Sequence, residues 1–306
     1  MSIIIHYEQI CKANPTSSIE CNAFRAAALD TWYRIEFSRK RPGLKIHETT
    51  LTQNLVYELN LLNWRYSRMG LSIFESTDER ANGDDLEIKV KDSSGRFITF
   101  ATQSKILYHN FPQRKGGLKN LADGRYPEMK HPKIYKRGSK NQIDLLLNYA
   151  KKNGYIPIYL LYNYVNANFP LQQKCGVPFD EKQYGCSIIS AHYLKKKYAL
   201  PPHGNLPRNI KFSDLHPKVA KPWFVLPCCF HSMGAGGIIG ELGGDEVDYQ
   251  IKTESDEEVF DDPKWRRLID PAQDVYQGIN FGLGRQETKF NPMYRLVLNP
   301  PNGEHF

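Results

Sequence analysis

Residues 83–105 constrain this chain more tightly than any other stretch. Leu86, Ile88 and Val90 alternate with polar neighbours, a Ser93-Ser94-Gly95 turn follows, and Ile98 and Phe100 resume the alternation. Period-two patterning of this kind marks two half-buried strands, and the short turn joins them as an antiparallel hairpin. With Gly95 in a bulge that closes the turn, the numbers of facing residues sum to about 188, which sets Asp85 opposite Gln103. Facing residues share a sheet face, and Lys105 lies two positions further along it. The register therefore predicts that Asp85, Gln103 and Lys105 converge on the face away from Leu86 and Ile88, in a pocket open to solvent.

A carboxylate and an amide oxygen are hard donors of the kind Mg²⁺ or Mn²⁺ accepts. A lysine beside such an ion lowers the pKa of bound water or stabilises charge on a phosphate. One carboxylate and one amide make a small donor set, so a further acid is expected from elsewhere. Residues 49–62 read as a helix opened by a threonine cap, with Leu51, Leu55, Leu59 and Leu62 as its apolar stripe. Glu58 adjoins that stripe and is the first choice; Glu48, ahead of the cap, is the weaker one.

The formal net charge is +8, and its location matters more than its size. Residues 105–152 hold twelve Lys/Arg against three Asp/Glu, so the rest of the chain is close to neutral. This basic stretch begins where the strand carrying Lys105 ends. Arg114, Lys115, Lys119, Arg125, Lys133, Lys136, Arg137 and Lys140 lie among Tyr108, His109, Phe111, Tyr126 and Tyr135. Cations attract a phosphate backbone and rings pack on sugars or bases, which favours DNA as partner over a merely solvated loop. RNA is compatible with the same features.

Composition sets the outer limits. With 41% hydrophobic and 12% aromatic residues in 306, the chain is expected to pack as one large or two modest domains rather than remain disordered. No apolar run reaches the length of a membrane span, and residues 1–6 lack the basic start of a signal peptide, so a cytoplasmic protein with no membrane contact is expected. Its six cysteines then read as reduced, mostly buried thiols. A zinc site from Cys175, Cys186, Cys228 and Cys229 or His231 is disfavoured, because neighbouring cysteines do not readily share an ion and there is no Cys-x-x-Cys.

Three regions emerge: a helical N-terminal extension (1–47), a core (48–165) with a long basic insertion (108–138), and a C-terminal α+β region (166–306) of unassigned role. Residues 23–37 carry Phe24, Ala27, Ala28, Trp32 and Ile35 at helical spacing. Residues 186–198 are expected to be helical, residues 223–226 a short strand, and the glycine-rich run 234–244 a flexible linker rather than a phosphate loop. The acidic cluster Glu254, Asp256, Glu257, Glu258, Asp261 and Asp262 is read as solvated, unless it covers basic surface of the same chain or docks a basic partner.

The order helix (Glu58), strand (71–74), strand (Asp85), strand (Gln103-x-Lys105), helix (141–150), strand (155–164) resembles the αβββαβ core of the restriction-endonuclease-like, or PD-(D/E)XK, superfamily. Its Mrr-like branch carries Asp…Gln-x-Lys. More narrowly, the chain resembles a bacterial family with the pattern Gly-Ala-Asp-Leu-Glu, Gln-x-Lys, Gln-Ile-Asp-Leu-Leu, Pro-x-Tyr-x-x-Tyr-Asn, then Gly-Cys-Ser and a Pro-Trp near paired cysteines. Here Asp84 stands where alanine is usual, and Gly185-Cys186-Ser187, Pro222-Trp223 and Cys228-Cys229 follow. The resemblance spans roughly residues 20–230, and its strength lies in the order of motifs that are each weak alone.

The resemblance implies a mixed central sheet and a metal-dependent DNA endonuclease. Asp85, Gln103 and Glu58 would hold Mg²⁺ or Mn²⁺, Lys105 would assist the nucleophile, and Gln142 would support the site or cap its helix. It also implies a role in bacterial antiviral defence, restrained by a regulatory partner or by oligomerisation; a catalytically inactive DNA-binding or scaffold subunit is the alternative. A rival site uses the literal Glu87-Ile88-Lys89 with Glu75 or Asp78 as upstream acid. That strand leads into a tight turn and another strand instead of the helix the pattern needs, so Gln103 and Lys105 are preferred.

Overall fold

The computed structural model describes residues 3–41, 43–66, 69–78, 82–112, 118–130, 132–133, 140–166, 170–174, 176–199, 206–207, 209–242, 248–268 and 290–299. Three helices open the chain. α1 (Ile3–Ala13) packs on α2 (Ile19–Lys40), which is capped by Ser18, whose hydroxyl accepts from the Cys21 N–H. Phe24, Ala27, Ala28, Trp32 and Ile35 form its buried stripe, as the spacing predicts. α3 (Glu48–Arg65) buries Leu51, Leu55, Leu59 and Leu62. Its N-cap is His47 with no side-chain bond, not a threonine, so the helix starts early enough to hold Glu48 in its first turn.

The strands that follow are β1 (Leu71–Ser76), β2 (Asn82–Lys91) and β3 (Phe97–Ile106). β2 and β3 pair antiparallel with Asp85 opposite Gln103 and Lys91 opposite Phe97, which is the register the hairpin pattern predicts. The turn is fixed by Asp92, whose Oδ1 accepts from the Ser94 and Arg96 N–H groups, and by Gly95 at φ +79°. Within the basic insertion, β4 (Tyr108–Pro112) pairs with β5 (Leu118–Arg125), and β6 (Pro132–Lys133) pairs with β7 (Lys140–Asn141) just beyond it. The chain then runs through α4 (Gln142–Asn153) into β8 (Ile156–Tyr162), parallel to β3.

Further along lie β9 (Gln172–Lys174), β10 (Val177–Phe179), β11 (Cys186–Ser190), α5 (Ala191–Tyr198), α6 (Phe212–Leu215), β12 (Lys221–Pro222) and α7 (Val225–Glu241). The described chain closes with β13 (Thr253–Glu254), α8 (Asp256–Phe260), β14 (Trp265–Arg267) and β15 (Pro292–Leu298). The central sheet runs β12-β11-β8-β3-β2-β15-β1-β14, with β13 also on β3. It is mixed: β3–β8 and β2–β15 are parallel and the other pairs antiparallel. α3 and α7 pack against the Leu86/Ile88 side and α4 against the other, which makes an α/β architecture.

Several expectations are corrected. β1 and β2 are not neighbours: β15 enters between them, so the first three core strands do not form a simple meander. The region after residue 165, whose role the sequence left open, supplies strands to the same sheet. Residues 186–198 divide into β11 and α5, since Cys186 to Ser190 pair with β8 and Ser190 caps the helix. Trp223 is not in a strand; its indole N–H donates to the Phe24 carbonyl at 2.7 Å, and α7 begins at Val225. Residues 234–241 are helical, with a break at Gly234 (φ +63°), because burial of Ile238 and Ile239 outweighs the low helix propensity of glycine.

Cysteine chemistry differs too. Cys21 and Cys228 are joined by a disulfide that ties α2 to α7, while Cys186 is a buried free thiol and Cys11 a half-buried one. Gly185 explains its own place before Cys186: a Cβ there would lie 2.0 Å from the Ala28 carbonyl oxygen, so only glycine lets this turn rest on α2. No helix among the described residues is long and apolar enough to cross a membrane.

Candidate active site

Three adjacent strands present the site from one face of the sheet. Asp85 on β2 faces Gln103 on β3, and Gln103 in turn faces Tyr159 on β8. Gln103 Nε2 donates to Asp85 Oδ1 at 3.3 Å. Lys105 projects from the same face two residues on, and its Nζ donates to Glu48 Oε2 at 3.0 Å. Glu48 reaches round from the first turn of α3, and its Oε1 also accepts from the Ile106 N–H at 3.0 Å. One carboxylate thus clamps both the end of β3 and the lysine.

The predicted trio is therefore brought together, but not in an open pocket. Asp85 and Tyr159 are 0% exposed, Lys105 1% and Gln103 2%. The cover is polar as well as apolar. The turn at residues 127–130 packs against β3 and α4, and Gln142, first residue of α4, is buried. α4 connects two parallel strands, so it starts at the end where β3 finishes, and its N-terminal dipole favours negative charge there. Gln103 Oε1, Gln142 Oε1 and the Tyr159 hydroxyl are buried with no hydrogen-bond partner among the described residues. Burial, with the carboxylates of Asp85 and Glu48 adding to it, pushes the Tyr159 phenol above its ordinary pKa; Lys105 acts the other way.

Glu58, the first choice for the additional acid, is not part of this group. It sits on the face of α3 that meets α2, where its Oε1 takes a hydrogen bond from Arg34 Nη2 at 2.5 Å, and Arg34 also pairs with Asp30. Burial raises the pKa of Glu58, with Asp30 reinforcing the effect. Glu48, ten residues earlier, is the carboxylate that reaches Lys105 instead. Among the described residues no set of three or more His, Cys, Asp or Glu is placed to hold a metal. The donor set here is of another kind: the Asp85 carboxylate, the unpartnered Gln103 amide oxygen and the Glu48 carboxylate nearby, all oxygen ligands that suit Mg²⁺ or Mn²⁺.

Of the rival residues, Glu87 and Lys89 occupy the same face further down β2, Glu75 lies on β1, and all three are fully committed. Glu87 accepts from Arg295 Nε at 2.9 Å and from the Tyr149 hydroxyl at 2.6 Å. Lys89 pairs with Glu254 and donates to Thr99 Oγ1 at 2.8 Å. Glu75 pairs with Arg266 at 2.8 Å. The acidic cluster around residue 254 thus covers basic groups of its own chain: Glu254 meets Lys89, Asp256 meets Lys91 and Asp262 meets Arg295.

Of the expected nucleic-acid contacts, Lys119 and Arg125 lie on β5, Lys133 on β6 and Lys140 on β7. Arg114, Lys115, Lys136 and Arg137 lie outside the described residues. The base of the insertion is anchored by Tyr126, whose hydroxyl donates to Asn163 Oδ1 at 2.5 Å. Asn163 Nδ2 donates to Ser187 Oγ at 2.9 Å, and Ser187 meets His216 Nε2 at 2.7 Å. Burial drives His216 down to a pKa of about 3. The Tyr-Asn and Gly-Cys-Ser motifs therefore meet in one buried network.

A family model described as a family of unknown function (DUF6615) matches residues 20–287, and the chain belongs to that family. No curated protein and no solved structure matches it.

Proposed function

We propose that this protein is a metal-dependent DNA endonuclease of the restriction-endonuclease-like kind, and that it acts in bacterial antiviral defence. The observation that carries the reading is the convergence of Asp85, Gln103, Lys105 and Glu48 at the end of β3, with oxygen ligands and a cation on one sheet face. Mg²⁺ or Mn²⁺, held by Asp85 and Gln103 with Glu48 beside them, would supply Lewis acidity and a more acidic water. Glu48 orients Lys105, and the ammonium stabilises negative charge as it builds on the phosphoryl oxygens. Gln103 holds the Asp85 carboxylate in place through its amide N–H. The positive dipole end of α4 and the basic insertion attract the polyphosphate backbone, with DNA as the substrate class.

Closure of the site means that DNA binding must part the cover before cleavage, a natural point of control by a regulatory partner or a second copy. We place the reaction in the cytoplasm, where foreign DNA arrives, although the Cys21–Cys228 bond is uncommon in a reducing compartment.

The test uses the full chain with supercoiled plasmid and linear duplex, in Mg²⁺, in Mn²⁺ and in chelator, beside Asp85→Asn and Lys105→Met. Cutting should require metal and fall by at least ~10²-fold in each variant that retains the wild-type circular dichroism. Tight binding of DNA without cutting in either metal would replace this reading with that of a non-catalytic DNA-binding or scaffold subunit.

A further inference from the structure

We propose that Tyr159 is a further substrate-contacting residue of this site, its hydroxyl donating a hydrogen bond to a non-bridging oxygen of the bound phosphodiester. The proposal rests on the nuclease reading above and names a group that reading does not use. Tyr159 lies directly across from Gln103 in the parallel β3–β8 pair, on the face that carries Asp85 and Lys105. Its hydroxyl is buried with no partner among the described residues. A phenylalanine would fill the same space without stranding a polar atom, and β8 is otherwise apolar at Ile156, Ile158, Leu160 and Leu161.

The other tyrosine of this strand provides a control. Tyr162 faces the opposite side of the sheet, where its hydroxyl meets Thr52 Oγ1 at 2.8 Å and accepts from Ser104 Oγ at 3.4 Å. That hydroxyl has a structural role. Tyr159 has none of these contacts.

The donor inventory says what Tyr159 is for. Lys105 places one N–H on Glu48 and keeps its charge for the phosphate, and the Gln103 amide places one N–H on Asp85. The unpartnered atoms of Gln103 and Gln142 are both carbonyl oxygens, which accept and suit a cation or water. The phenol brings an uncommitted O–H donor, the group that an anionic phosphate oxygen requires.

Single-turnover cleavage of labelled duplex in Mg²⁺, DNA affinity in Ca²⁺, and thermal melting are measured for wild type, Tyr159→Phe and Tyr162→Phe. The expected result is a ~10²-fold slower cut by Tyr159→Phe, with DNA affinity within about twofold and a melting temperature equal to or above wild type. Tyr162→Phe should melt lower and cut at the wild-type rate. A Tyr159→Phe rate within about twofold of wild type overturns the proposal and leaves the nuclease reading standing. A slower Tyr159→Phe variant that also melts lower assigns the hydroxyl to packing and overturns it as well. A wild-type protein that cuts in neither Mg²⁺ nor Mn²⁺ overturns both.

Discussion

Two groups of polar residues share one face of β2, separated by a single step of the pleat. At Glu87 and Lys89 every charge is answered: Glu87 by Arg295 and Tyr149, Lys89 by Glu254 and Thr99, and Arg295 further by Asp262 and the ring of Trp265. At Asp85, Gln103 and Tyr159 the arrangement is just as buried but chemically incomplete, with an amide oxygen and a phenol left unpartnered among the described residues. A network satisfied within the chain stabilises one structure and has little left for a ligand; one with spare donors and acceptors is costly to keep unless something else completes it. This difference, more than any motif, separates the literal Glu-x-Lys of residues 87–89 from the Gln-x-Lys of residues 103–105.

Breaking the satisfied network should cost stability and spare chemistry. Arg295→Met leaves Glu87 a buried, unpaired charge, so unfolding in denaturant should show a loss of about 3–5 kcal/mol. Cleavage per folded molecule should hold within about twofold at a temperature where the variant remains native. A large rate loss with native stability would mean that the two groups work as one site.

The Tyr126–Asn163–Ser187–His216 network extends the comparison to a titratable member. His216 is neutral in the folded protein, with a pKa near 3 against 6.5 when unfolded. The unfolded state therefore takes up the proton first as pH falls. The contribution is fully present above pH 6.5, and about 2 kcal/mol of it is lost by pH 5. Unfolding curves at pH 7.5, 6 and 5 should show a shallower decline for His216→Gln than for wild type; parallel declines would remove His216 from this role.

The smallest effect belongs to Glu58→Gln. Its partner Arg34 is one-third exposed, so the pair contributes less than about 1 kcal/mol. Cleavage should be unchanged within about twofold, and a tenfold loss would return Glu58 to the site.

The hairpin was readable because two constraints act locally: alternation fixes which side chains are buried, and Gly95 with Asp92 fixes the turn, so register follows from a few adjacent residues. α2 and α3 were readable from periodicity for the same reason, whereas α4 and β8 were expected from the order of motifs in the resemblance. The choice between Glu48 and Glu58 was not. Both lie on one helix, and only the tertiary meeting of the start of α3 with the end of β3 decides which carboxylate reaches Lys105. Tyr159 was hidden inside an apolar run, where a buried ring is the usual meaning of tyrosine; the motif flagged the position but not the idle hydroxyl. The partner of β2 was equally hidden, since no local pattern tells a strand near residue 295 to enter between two strands made near residues 74 and 87.

That late entry has a bearing on biosynthesis. Until residues 292–298 leave the ribosome, β1 and β2 each lack a neighbour and Glu87 lacks its guanidinium. A nascent or truncated chain would therefore carry an unfinished sheet with raw edges beneath Asp85. If the protein cuts DNA as proposed, the arrival of residues 292–298 would double as a safety interlock, arming the site only once that strand has been threaded home.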